Sequence, residues 1–128
     1  MTHPRLRLNA VCIDCADAEE LAAFYARLFG WRVVAGGGNW IQVGDPDGGV
    51  ELNIQAEKWY EPPVWPERIG ALTKMLHFEV ETDDVTGAVA HALASGAREA
   101  VPQPSDRDPD KLRVMLDPAG HPFCLWSR

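Results

Sequence analysis

The segment DAEELAAFYARLFG at 17–30 specifies a helix with both of its ends marked. Its large apolar residues recur at steps of three and four, the helical period; they are Leu21, Phe24, Tyr25 and Leu28. Asp17 can cap the amino end, and Glu20 three residues later completes a capping-box pattern. Gly30 suits the left-handed position that ends a helix. An alternating apolar run, LNAVCID at 8–14, precedes the helix and predicts a strand.

The same pattern occurs a second time later in the chain. DVTGAVAHALASG at 84–96 again opens on Asp and closes on Gly, although Gly87 lowers its helix propensity, and MLHFEVE at 75–81 precedes it. Each helix is followed by three strand candidates, the last two joined by the turns DPDGG and DPAGH. They are WRVV at 31–34, NWIQVG at 39–44 and VELNIQ at 50–55, then AREAV at 97–101, KLRVMLD at 111–117 and PFCLW at 122–126.

The element order is therefore β-α-β-β-β, twice, which predicts an α+β fold of two sequence-related βαβββ modules. Module one covers about 8–55 and module two about 75–126, within a single domain of 128 residues. The linker at 56–74 contains PPVWP, whose prolines exclude a regular helix or a central strand. The run GGG at 36–38 is interpreted as a flexible connection between strands.

Composition narrows the classes of partner. The net charge is −7 and the Lys and Arg residues form no cluster, which disfavours nucleic acid as a partner. No apolar run approaches the roughly 20 residues that cross a bilayer, and no signal-peptide pattern follows the amino terminus. The odd count of three cysteines argues against a disulfide framework. We therefore expect a cytoplasmic protein without a membrane partner.

The helix AAFYARLFGW, the two DPxG turns and the run HFEVETDD together resemble the vicinal oxygen chelate superfamily, in its glyoxalase-like subgroup. That superfamily includes glyoxalase I, extradiol dioxygenases and the fosfomycin and bleomycin resistance proteins. The resemblance covers nearly the whole chain. It implies that the two modules form an incomplete mixed barrel around a pocket for a small organic molecule, and that two chains associate as a homodimer.

The resemblance also locates the metal ligands of the metal-using members. They lie seven residues before each helix-opening Asp and seven after the Asp of each DPxG turn, which here gives Ala10, Leu52, His77 and Cys124. Ala and Leu have no donor atom, and a catalytic site normally needs three protein ligands. Glu79 shares the strand face of His77, whereas Glu51 is one residue off this register. We therefore expect no metal and no cofactor; the remaining donor candidates are His77, Cys124 and Glu79.

Candidate pocket residues are those on the predicted pocket-facing sides of the strands. They are His77, Glu79, Cys124, Trp126, Cys12 and Leu52. Trp126 is included because it lies two residues from Cys124 and shares its face. The CxxC pair Cys12 and Cys15 is interpreted as two buried small hydrophobes on opposite faces, not as a redox site.

The tryptophans are interpreted separately. Trp31 is expected in the core, whereas Trp40 is left open between the core and an aromatic pocket wall. The linker aromatics Trp59, Tyr60 and Trp65 either line the pocket or seal an interface.

Three functions remain open. The first is a metal-free binding protein that sequesters a drug or a metabolite. The second is a lyase, isomerase or dioxygenase of the glyoxalase type that uses a nonstandard metal site or His77 as a general base. The third is a protein–protein or regulatory role in which the pocket is incidental.

Overall fold

A computed structural model describes residues 3–128 of the chain. Module one consists of five elements: β1 (Ala10–Cys15), α1 (Ala18–Phe29), β2 (Arg32–Gly37), β3 (Trp40–Gly44) and β4 (Glu51–Ala56). Its sheet has the order β1-β4-β3-β2, in which β1 and β4 are parallel and the other pairs are antiparallel. The last strand, β4, therefore lies beside the first, β1, and helix α1 packs against one face of the sheet.

Module two repeats this arrangement. Its elements are β5 (Phe78–Glu81), α2 (Val85–Ser95), β6 (Arg98–Glu99), β7 (Leu112–Leu116) and β8 (Pro122–Trp126). The sheet order is β5-β8-β7-β6, again with the first and last strands parallel. The predicted α+β fold of two βαβββ modules is confirmed, and the two four-stranded sheets do not close into a barrel.

Both helices begin at the predicted aspartates. Asp17 Oδ1 accepts a hydrogen bond from the backbone N–H of Glu20 at 3.1 Å, and Asp84 Oδ1 accepts one from Gly87 at 2.9 Å. A Cβ atom on Gly87 would lie 2.2 Å from the Asp84 carboxylate. The glycine that weakens the second helical pattern thus leaves space for the cap of that helix.

Three strand predictions differ from the structure. β5 begins at Phe78 and not at Met75, since the residue opposite His77 is Pro122, which has no N–H to continue the ladder. β6 has only two residues, because the N–H of Val114, which would continue the ladder, donates to the side chain of Gln103 instead. β2 extends through Gly36 and Gly37, which the sequence predicted as a flexible connection.

Gly36 has a structural role within β2. It pairs with Ile41 at φ +83°, and a Cβ atom there would lie 2.3 Å from the Trp40 carbonyl oxygen. Only glycine permits this close approach of the two strands.

Helix α1 joins the two modules into one core. The Phe24 ring lies 6.0 Å from that of Phe123, and the Tyr25 ring lies 5.9 Å from that of Phe78, centroid to centroid. Both partners belong to module two, so the modules pair within one chain, a question that the sequence left open.

Trp31 and Trp40 differ in burial. Trp31 packs against the core, as predicted, and its ring centroid lies 4.7 Å from that of Phe29. Trp40, which the sequence left open, is 41% exposed beside the edge strand β2 and is not part of the core. In residues 3–128, no helix is both long enough and apolar enough to cross a bilayer.

Candidate functional site at the junction of the modules

The structure contains a cleft, at a place that the sequence analysis did not identify, where β1, the segment before β5 and the linker meet. We call it the junction cleft; its volume is about 400 Å³. Most of its wall is apolar and includes Tyr60, Leu72, Met75, Leu76 and Phe78. Seven polar side chains also line it: Cys12, Asp14, Glu61, Thr73, Lys74, His77 and His121. A mainly apolar concavity with a few convergent polar groups is typical of small-molecule sites.

Tyr60 and His121 fix the linker against both modules. The Tyr60 hydroxyl donates a hydrogen bond to the Ala119 carbonyl at 2.6 Å and lies 3.2 Å from His121 Nε2. The same nitrogen lies 2.6 Å from the Asp14 carbonyl oxygen of β1. Because a carbonyl only accepts, Nε2 carries a proton in this contact. Tyr60, whose role the sequence did not decide, thus anchors the linker and lines the cleft.

A buried carboxylate lies beside this anchor. Asp117 has 0% exposure and accepts hydrogen bonds from the Tyr25 hydroxyl at 2.6 Å and from the backbone N–H groups of Ala119 at 2.9 Å and His121 at 3.0 Å. Burial raises the pKa of Asp117, while the Tyr25 hydrogen bond opposes that rise. Asp117 thereby connects α1 to the turn that presents His121 to the cleft.

The structure distributes the predicted site residues over several surfaces. His77 and Cys12 line the junction cleft. Leu52, His77 and Glu79 line a second groove of about 550 Å³, and Glu79 and Trp126 line a third of about 520 Å³. Cys124 is half-buried opposite Glu79. The predicted residues therefore do not form one common site.

The register expected for Leu52 is wrong. Leu52 is buried on the helix side of the sheet, whereas Glu51 and Asn53 lie on the other face. The matching position on the last strand lies one residue further from the Asp of the turn in module one than in module two. A shift of one residue along a strand moves every side chain to the opposite face of the sheet. Asn53 pairs with Cys12 as Cys124 pairs with Glu79, so Asn53 holds the position that matches Cys124. Glu51, expected off register, shares the face of Asn53.

The cysteines are poorly suited to chemistry. Partial loss of hydration raises the pKa of Cys12, and the carboxylates of Asp14 and Glu57 raise it further. Burial and Glu79 raise the pKa of Cys124, with Lys74 opposing them. Both groups therefore favour the thiol, which is a weak nucleophile and a poor metal ligand. Cys12 and Cys15 lie on opposite faces as predicted, but Cys12 is exposed and not buried.

The residues present do not fit the metal site that the resemblance implies. Across residues 3–128, no three His, Cys, Asp or Glu side chains converge closely enough to hold a metal ion. His77 Nε2 and Glu79 Oε1 are 3.6 Å apart, which is a weak ion pair at most. No third His, Cys, Asp or Glu side chain of residues 3–128 joins this pair, and the raised pKa of Cys124 favours its thiol form.

The other aromatic candidates are turned toward cationic side chains or solvent. The Arg128 guanidinium lies 5.4 Å from the Trp126 ring, and Lys74 Nζ lies 4.8 Å from the Trp65 ring. Trp59 is 83% exposed. None of these three lines the junction cleft.

Asp14, Glu61 and His121 are functional candidates that sequence reasoning missed. Only the DPAGH turn and the aromatic linker pointed toward this region.

Comparison with known proteins identifies the family. The model of the glyoxalase-like domain matches residues 10–126. No curated protein matches the sequence significantly. Three solved structures are similar over almost the whole chain, each at under 25% identity, which supports the fold and not the activity.

The first is a glyoxalase/bleomycin resistance protein/dioxygenase family enzyme from Burkholderia phytofirmans PsJN. It has 19% identity and a TM-score of 0.68, covering 95% of this chain and 98% of that one. The second is TnmS3, an antibiotic binding protein from Streptomyces sp. CB03234, with 18% identity, a TM-score of 0.63 and 98% of both chains covered. The third is the oxidase ChaP-H2, with 18% identity, a TM-score of 0.60 and 96% of this chain and 94% of that one covered. The chain therefore belongs to the glyoxalase-like domain family of the vicinal oxygen chelate superfamily.

Proposed function

We propose that this protein binds a small organic molecule in the junction cleft without a complete metal site, and so sequesters a drug or a metabolite. The observation that carries the proposal is the cleft itself: a volume of about 400 Å³ with a mainly apolar wall and a few polar groups. Within residues 3–128 no three His, Cys, Asp or Glu side chains converge, which supports the absence of a complete metal site in this proposal. One structural relative is an antibiotic binding protein, which is consistent with this use of the fold.

Native mass spectrometry of the protein from its own host tests ligand binding directly. We expect a non-covalent adduct of small-molecule mass, which Leu76→Trp weakens by filling the cleft. A matched control is Leu93→Trp, because Leu93 is exposed on α2 and lies outside the cleft. Protein that carries no adduct, and that binds nothing from an extract of its host, would contradict the proposal.

The absence of a bound metal ion is tested by a separate measurement. Because an ion that binds only the folded state stabilises it by linkage, Ni²⁺, Zn²⁺ and Mn²⁺ should leave the melting temperature unchanged. We also expect no isomerisation of the methylglyoxal–glutathione adduct above background. One tightly bound ion per chain that is lost in His77→Ala would overturn this part.

An enzyme is the second candidate, and one observation favours it. His77 is accessible, lines the junction cleft and has Glu79 beside it at 3.6 Å, so it is placed to move a proton on a bound ligand. A structural relative is an oxidase. Turnover of the co-purified ligand that disappears in His77→Ala, with ligand binding retained, would favour this candidate over sequestration.

A homodimer and a cytoplasmic location remain part of the proposal. The linker exposes Trp59 and Ile69, which do not line the cleft and are large apolar groups. Light scattering should give a mass of about twice 14.1 kDa. A monomer at micromolar concentration would contradict the dimer and leave the binding proposal intact.

A further inference from the structure

We propose that the junction cleft selects a ligand with a positive charge on an apolar body, that is, a protonated organic amine. The inference rests on the proposed binding function and specifies the chemical class of its ligand. It follows from the pairing of the charged side chains that line the cleft: the lysine already has an ion-pair partner, whereas the carboxylates have none in the described part of the chain.

The carboxylates are the uncompensated charges. Asp14 and Glu61 both line the cleft, and within residues 3–128 neither side chain has an ion-pair or hydrogen-bond partner. The one lysine that lines the cleft, Lys74, is paired with Glu67 at 2.7 Å and stacked on Trp65. A bound cation would therefore meet two free negative charges, whereas a bound anion would meet a positive charge that is already neutralised.

Besides partial burial, carboxylates near the cleft raise the pKa of two side chains in its wall, Cys12 and Tyr60. The carboxylates of Asp14 and Glu57 add to burial in raising the pKa of Cys12. Burial is the main cause of the raised pKa of Tyr60, with the carboxylates of Asp117 and Asp14 among the further causes. Asp14 acts on both Cys12 and Tyr60, and a carboxylate that is close to the wall attracts a cation and disfavours an anion.

The rest of the wall defines the body of the ligand. Met75 is 94% exposed and Leu76 is 58% exposed, although both are large apolar side chains that line the cleft. An apolar ligand body would remove them from water. The Tyr60 and Phe78 rings add aromatic surface, whose faces attract a cation as well as an apolar group.

Three probes that share one body and differ in charge test the inference. They are 4-phenylbutylamine, 4-phenylbutan-1-ol and 5-phenylpentanoate, titrated into the ¹⁵N-labelled full chain at neutral pH and low salt. We expect the amine to bind about threefold to fivefold more tightly than the alcohol, and the carboxylate to bind most weakly. The preference for the amine should shrink at high salt because salt screens the carboxylates.

Variants assign the preference to named residues. Asp14→Asn and Glu61→Gln should each weaken amine binding about twofold to threefold while leaving alcohol binding unchanged. Glu19→Gln is the matched control, since it removes the same charge from an exposed site outside the cleft. Thermal unfolding of each variant verifies that the fold is retained.

The outcomes separate this inference from the proposed function. If the amine and the alcohol bind equally, or if Asp14→Asn and Glu61→Gln have no more effect than Glu19→Gln, the charge selection is wrong and the cleft still binds ligands. If no probe binds, the inference also fails, while native mass spectrometry decides the proposed function on its own.

Discussion

Replacing Tyr25 by Phe removes a single oxygen atom from the contact between α1 and module two. That oxygen donates a hydrogen bond of 2.6 Å to Asp117, whose side chain is fully buried. The other carboxylate oxygen keeps its two backbone donors, so Tyr25→Phe leaves one oxygen of a buried acid without a partner. Hydrogen bonds to charged groups contribute about 1.5–3 kcal/mol, which is the expected loss in the free energy of unfolding at neutral pH.

The loss should depend on pH. Burial raises the folded-state pKa of Asp117 above its ordinary value of 3.8, so stability from this group is complete below that value and falls as pH rises through the folded pKa. The Tyr25 hydrogen bond lowers the folded pKa, and its removal raises it further. Above that raised pKa, the variant carries an ionised acid that lacks its donor. Near pH 4, where Asp117 is more protonated, we expect a smaller loss of about 0.5–1.5 kcal/mol.

Urea unfolding followed by tryptophan fluorescence measures both values, since the chain has five tryptophans. The same substitution in an Asp117→Asn background is the control, because an amide cannot ionise and should remove the pH dependence. A loss below about 0.5 kcal/mol at neutral pH, or an equal loss at both pH values, would refute the role given to this hydrogen bond.

Three further substitutions test other contacts by urea or thermal unfolding. Gly120 has φ +91°, and a Cβ atom there would lie 2.8 Å from a carbon of Pro62 in the linker, so Gly120→Ala should lower the free energy of unfolding by about 1–3 kcal/mol. Gly48→Ala is the control: Gly48 has φ +94° but no neighbour within 4 Å, so the loss should be smaller. Gln103→Ala should cost about 1–3 kcal/mol, since Gln103 bonds both the N–H and the C=O of buried Val114; a loss under about 0.5 kcal/mol would contradict this. Asp17→Ala should cost about 1 kcal/mol through its lost helix cap, and an unchanged stability would argue against that cap.

Much of the candidate site lay beyond sequence reasoning. His77 and Cys12 were named in advance and line the junction cleft, but Asp14, Glu61 and His121 were not proposed as site residues. They come from β1, the linker and the turn before β8, so they are neighbours only after the modules pair. The register of β4 also could not be counted from the turn, because a single residue reverses which face Leu52 occupies.

The sequence by itself determined the two helices, their aspartate caps and glycine ends, the DPxG turns and the repeated βαβββ order. These features depend on side chains within a few residues of one another, and their periods and turn chemistry are visible in any short window. Tertiary structure alone decided that α1 packs on module two, that the linker is anchored by Tyr60, and that a cleft opens between them. Those features depend on contacts between residues far apart in the chain, and local periodicity carries no information about which distant surfaces will meet.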